Sequence, residues 1–124
     1  MTTALALIAA VLTAGWGTAH LFPTRSVVRG FGEISAENER VITMEWILEG
    51  VTLIFVGFLT AAVTLLGDPS STTATVAYIA SAGLLVVMAA VSVLTAGRNE
   101  HIAYRLCAPI FATSAALLVA AAVS

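Results

Sequence analysis

The chain has 124 residues, of which 60% are hydrophobic and only 10% charged, with a mean hydropathy of +1.03. A soluble domain of this length carries roughly twice that charged fraction, so lipid rather than water is the expected solvent. A net charge of −2 without a single lysine argues against nucleic acid as a partner, and one cysteine, Cys107, excludes an internal disulfide.

Residues 3–22 form an apolar run of 20 residues, about the length that crosses a bilayer. No basic segment precedes it, so it reads as a retained span rather than a removed leader. Near its end Trp16 and His20 share a helix face, Gly15 and Gly17 permit close approach of a neighbouring helix, and Pro23 stops the run.

The connector 24–41 is the longest polar stretch, with Arg25, Arg29 and Arg40 set against Glu33, Glu37 and Glu39. Gly30-Phe31-Gly32 marks a turn, with Phe31 placed to dip into the membrane interface. Ser35 is the expected N-cap of the second long helix, and Glu37 in its first turn favours the helix dipole.

That helix carries Met44-Glu45-Trp46-Ile47-Leu48-Glu49-Gly50 and then continues uncharged to Gly67. Glu45 and Glu49 stand four residues apart and therefore share a face. A carboxyl below the headgroups is costly and is expected to face the bundle interior or a water-filled cavity.

A short turn, 67–73, leads to the third span, 74–96, with Gly97 as its expected stop. Arg98-Asn99-Glu100-His101 turns the chain again, with Asn99 the candidate N-cap of the last helix. Pro109 inside that helix predicts a kink, because it lacks the N–H that would bond the carbonyl of Arg105. All five arginines lie in or beside the first and third connectors, so the positive-inside rule places these on the cytoplasmic side.

The expected architecture is therefore all-α. It is one integral membrane four-helix bundle over 1–124, with spans near 3–22, 41–67, 74–96 and 102–123. Both termini are expected on the non-cytoplasmic side of what reads as a bacterial cytoplasmic membrane. This threading gathers His20, Glu45, Glu49, Asn99, His101 and Arg105 at one end.

Two ionised carboxylates on one face repel in low dielectric, so one of the Glu45–Glu49 pair is expected to hold a proton unless a cation intervenes. Read functionally, Glu49 is a general acid, Glu45 stabilises charge, and His20 and His101 exchange protons with them. Arg105 is the countercharge that orients the pair. Read structurally, the same groups are an ion-pair lock between helices and two interfacial histidines.

Trp16, Trp46 and Tyr104 form either an aromatic belt or, with Asn99, the wall of a ligand pocket. Cys107 reads as a small buried hydrophobe. A metal is not expected, because no Glu-x-x-His pair is present; a haem between His20 and His101 is disfavoured because both lie at the same rim.

The run Gly17-Thr18-Ala19-His20-Leu21-Phe22-Pro23 resembles the DoxX-like small membrane proteins. The resemblance implies a four-helix bundle and transfers no functional residue. An acidic pair and a histidine beneath an aromatic cap also resemble, in chemistry only, membrane isomerases and cyclases acting on sterols or terpenoids.

The expected function is binding of a lipophilic small molecule in a Glu/His/Arg pocket at the cytoplasmic end. If the chain is an enzyme, the chemistry is acid–base isomerisation, epoxide opening or cyclisation, needing no cofactor. Two alternatives stand beside it. One is a non-catalytic membrane subunit or assembly factor, packing Ala80, Gly83, Ala108 and Ala112 against a membrane protein partner. The other is a proton-coupled exporter working as a homodimer.

Overall fold

The computed structural model describes residues 1–96 and 102–124, so the expected stop at Gly97 and the roles given to Asn99 and His101 lie outside the described residues. Described are five helices: α1 (Thr2–Leu21), α2 (Thr24–Gly30), α3 (Ala36–Leu66), α4 (Thr72–Ala96) and α5 (Ile102–Val123). All but α2 are long and apolar enough to cross a membrane. These four helices overlap the apolar runs read from the sequence, and α3 extends back to the residue after Ser35.

The first part of the connector corrects the sequence reading, which gave 24–34 no helix. Pro23 does end the first run, but the Pro23 carbonyl also accepts from Val27 N at 2.9 Å and opens α2. A proline costs nothing at a helix start, where its missing N–H has no intrahelical partner. Buried Val28 docks this short helix against α3. Gly32, at φ +73°, then reverses the chain in a conformation that a side chain disfavours.

Ser35 caps α3 as expected, its Oγ accepting from Asn38 N at 3.2 Å, with Glu37 and Glu39 in the first turn. At about 1.5 Å per residue, the 31 residues of α3 span roughly 46 Å, well beyond a hydrocarbon core. Its polar first third therefore has length enough to stand in the headgroups. In the turn after α3, Asp68 accepts from the backbone and hydroxyl of Ser70 at 2.9 and 2.6 Å. These bonds hold its carboxyl below the usual range, and Ser71 Oγ caps α4.

Packing is extensive between α1 and α3 and between α4 and α5, intermediate between α1 and α5, and sparse between α3 and α4. The α1–α3 contact is set by glycine. A Cβ on Gly17 would lie 2.7 Å from both Gly50 O and Leu53 Cβ, and one on Gly57 would lie 2.6 Å from Ala10 O. Gly15, by contrast, faces open space. The core is built of small residues from α1, together with Leu53, Val56, Tyr78, Leu85, Phe111 and Leu118.

At the closed end of the α3–α4 seam, Thr64 Oγ1 and Tyr78 OH hydrogen-bond at 2.8 Å. Further along, the two helices enclose a groove of about 510 Å³, lined by Ile42, Glu45, Trp46, Glu49 and Thr52 on one side and Leu84 and Met88 on the other. Thr2 Oγ1 and Ser124 Oγ meet at 2.8 Å, so α1 begins where α5 finishes.

Candidate functional site

The site assembles where the end of α1, the middle of α3 and the start of α5 meet. On α1 the Gly17 crossing brings the backbone against Gly50, and one helical turn later His20 projects into the interior with only 6% of its surface exposed. On α3 the residue before Gly50 is Glu49, whose carboxylate Oε2 lies 3.4 Å from His20 Nε2. The close crossing therefore sets the distance between acid and base.

Trp46 fixes the imidazole from α3. Its ring stacks on His20 with centroids 3.8 Å apart and planes 14° from parallel. Its indole N–H donates to the His20 carbonyl at 2.8 Å. That carbonyl lies in the last turn of α1, where helical partners run out, so the indole supplies a bond the helix cannot. Tyr104 of α5 meets the other side of Trp46 edge-on at 5.8 Å.

Cys107, one turn after Tyr104, points to the same centre. One nitrogen of His20, one carboxylate oxygen of Glu49 and the sulfur of Cys107 all lie within 4.8 Å of one another. The indole N–H of Trp16 is also buried and has no hydrogen-bond partner among the described residues. Among the described residues, His20 Nε2 is buried without a hydrogen-bond partner, its approach to Glu49 being a close contact rather than an aligned bond.

His20, Trp46, Glu49, Tyr104 and Cys107 line a hollow of about 350 Å³, completed by Val87, Met88, Val91, Ser92 and Thr95 of α4. Trp46, Glu49 and Met88 also line the α3–α4 groove, so they form the partition between the groove and the hollow. The lining is mostly apolar, with the ionisable groups gathered at one side, as in pockets for small organic molecules.

Of the expected residues, the structure brings His20, Glu49, Trp16, Trp46 and Tyr104 together. Glu45 shares the groove-facing side of α3 with Glu49 but is exposed and stands outside the hollow. Arg105 is exposed, and among the described residues it makes no ion pair with either glutamate. The partner of Glu49 is His20 instead. The physical reason is helical phase: Tyr104 and Cys107 lie on the inward stripe that continues through Phe111, Ser114 and Leu118, and position 105 is about 100° away from Tyr104.

Cys107 is the residue that sequence reasoning passed over. The signal was present in that stripe, since a residue three after Tyr104 faces the same way.

No family model, no curated protein and no solved structure matches this chain.

Proposed function

We propose that this chain is a membrane protein that takes a lipophilic small molecule from the bilayer through the α3–α4 groove. The molecule then reaches the hollow behind Trp46, where the Glu49–His20 couple moves a proton on it. The observation that carries the reading is the 3.4 Å contact between Glu49 and His20 on the wall of an otherwise apolar hollow. A carboxyl and an imidazole in such contact exchange a proton readily, and a site that excludes water delivers it to substrate rather than to solvent.

The reaction class that suits them is double-bond isomerisation. One group removes a proton from an allylic carbon while the other returns one to the far carbon of the shifted double bond, and no oxidant or cofactor is consumed. Trp46 and Tyr104 supply the aromatic wall against which the positive charge that develops as protonation of the double bond runs ahead of deprotonation is stabilised. Glu45, at the groove, meets the substrate before it reaches Glu49. By the positive-inside rule, the arginines of α2 and of the start of α3 support a cytoplasmic end of the bundle for the site.

The test begins with mass spectrometry of small molecules retained by the chain after gentle detergent extraction, followed by turnover assays on whatever is found. Glu49→Gln is expected to retain the molecule and lose at least 100-fold in turnover, within the 10²–10⁴-fold typical of general acid–base catalysis. Unchanged turnover in that variant overturns the reading, as does a chain that retains only bulk lipid.

A second reading has one observation in its favour: Ala80, Gly83 and Ala112 face outward, Gly83 with nothing within 4 Å of where a Cβ would be. A helix face of small residues suits a neighbouring membrane helix. Under that reading the His20–Glu49 contact locks α1 to α3, and a stoichiometric protein partner co-purifies.

A further inference from the structure

We propose that His20, Glu49 and Cys107 form a three-ligand site for a thiophilic divalent cation, of which Zn²⁺ is the fitting example. The inference does not depend on the lipophile reading, because it rests on the donor geometry and is tested without any organic ligand.

Three observations carry it. The first is the donor set: one imidazole nitrogen, one carboxylate oxygen and one thiol sulfur, from three different helices, converge within 4.8 Å of one another. Imidazole, carboxylate and thiolate are the ligand types that Zn²⁺ uses. The 3.4 Å between His20 Nε2 and Glu49 Oε2 is close to the roughly 3.3 Å edge of a tetrahedron with nitrogen and oxygen ligands about 2.0–2.1 Å from the metal. Sulfur bonds at about 2.3 Å, so the Cys107 edges must close to roughly 3.5 Å. Rotation of Glu49, whose side chain is one third exposed and hence free to swing, shortens its own edge to Cys107, while the His20–Cys107 edge closes by rotation of the Cys107 side chain.

The second observation is the unpartnered nitrogen. His20 is 94% buried by the 6% it exposes, and its Nε2 is enclosed, without a hydrogen-bond partner among the described residues, and 3.4 Å from the Glu49 carboxylate. A buried polar atom in that condition costs free energy, and a cation bonded there removes the cost.

The third is charge balance. A divalent cation with one thiolate, one carboxylate and a neutral imidazole sums to zero, which a low-dielectric position tolerates far better than an isolated charge. On binding, the thiol proton, and the carboxyl proton where present, leave to solvent; nothing is oxidised or reduced. All three donors also line the 350 Å³ hollow, so a fourth coordination position faces that space. Three protein ligands with an open fourth position is the arrangement of a reactive rather than a structural zinc.

The experiment uses the full chain in detergent, stripped with a chelator and then titrated with Zn²⁺ against a chromophoric indicator and, separately, with Co²⁺. The expected result is one equivalent bound per chain and a Co²⁺ spectrum with tetrahedral d–d bands and thiolate-to-cobalt charge transfer. Cys107→Ser is expected to abolish the charge-transfer band. Cys107→Ser and His20→Gln should each weaken Zn²⁺ by more than the roughly 10- to 100-fold that loss of an outer hydrogen-bond partner costs. Exposed Glu37→Gln should bind as the parent does.

Because the parent's Co²⁺ spectrum needs no variant to fold, the proposal is decided even if a variant aggregates. Substoichiometric binding, a parent spectrum without thiolate charge transfer, or undiminished affinity in Cys107→Ser overturns it. Failure of the parent chain to bind Zn²⁺, with turnover intact in the stripped protein, removes the cation site and leaves the proton-transfer reading standing. Stoichiometric Zn²⁺ in a chain that retains no organic molecule does the reverse.

Discussion

Single atoms decide how α1 meets α3. At Gly17 an added methyl would collide with the backbone and side chain of α3, while at Gly15 it would meet nothing. Gly17→Ala is therefore expected to cost about 1–3 kcal/mol through overpacking. Gly15→Ala should instead gain up to about 1 kcal/mol from helix propensity. Thermal unfolding in detergent, followed by circular dichroism, separates the two. Ser114 is fully buried and its hydroxyl has no partner, so Ser114→Ala should leave stability unchanged or raise it. Trp46→Phe keeps the stack on His20 but loses the bond to its carbonyl, at an expected cost of about 1 kcal/mol. The sequence made Glu49 and His20 legible because an acid and an imidazole in apolar runs are conspicuous. It could not make their pairing legible, since their distance is set by a glycine crossing between helices whose register no local pattern encodes. Arg105 drew attention by its charge, whereas Cys107, chemically quiet in an apolar run, lies on the face that turns inward.

Among the elements, the long helices were readable because each is a charge-poor run of bilayer length bounded by polar turns. The α2 helix was not. Its seven residues carry too few apolar positions for a periodic signal, and Pro23 acts as both the end of one helix and the start of the next. The turn between α3 and α4 makes a pH prediction. Both Ser70 bonds favour the ionised Asp68 carboxyl, whose pKa is lowered in the folded chain. The contribution of that turn is therefore present above the unfolded-chain pKa and is lost as pH falls through the lower folded value. Observing the Asp68 carboxyl carbon by NMR should give a titration midpoint below that of a peptide with the same sequence, and Ser70→Ala should bring the two closer.

For the whole molecule, the unequal packing of the four long helices matters most. The other three seams pack more extensively than the α3–α4 seam, whose groove leads to the partition at Trp46, Glu49 and Met88. Filling the groove with Leu84→Trp should slow uptake of a lipophile several-fold and leave Zn²⁺ affinity intact, because Leu84 lines the groove and not the hollow. Fluorescent-lipophile uptake into proteoliposomes, set beside the metal titration, reads both. The hydroxyl contact between Thr2 and Ser124 carries a consequence of another kind, because it closes the order of the rods into a loop. A short glycine-serine bridge across that contact, with the chain reopened at Ser70, yields a circular permutant. It begins with α4, finishes with α3, and keeps every rod's direction of travel. If the bundle is held by its interior and not by the sequence in which its rods are threaded, that rearranged chain will bind the same molecules as its parent.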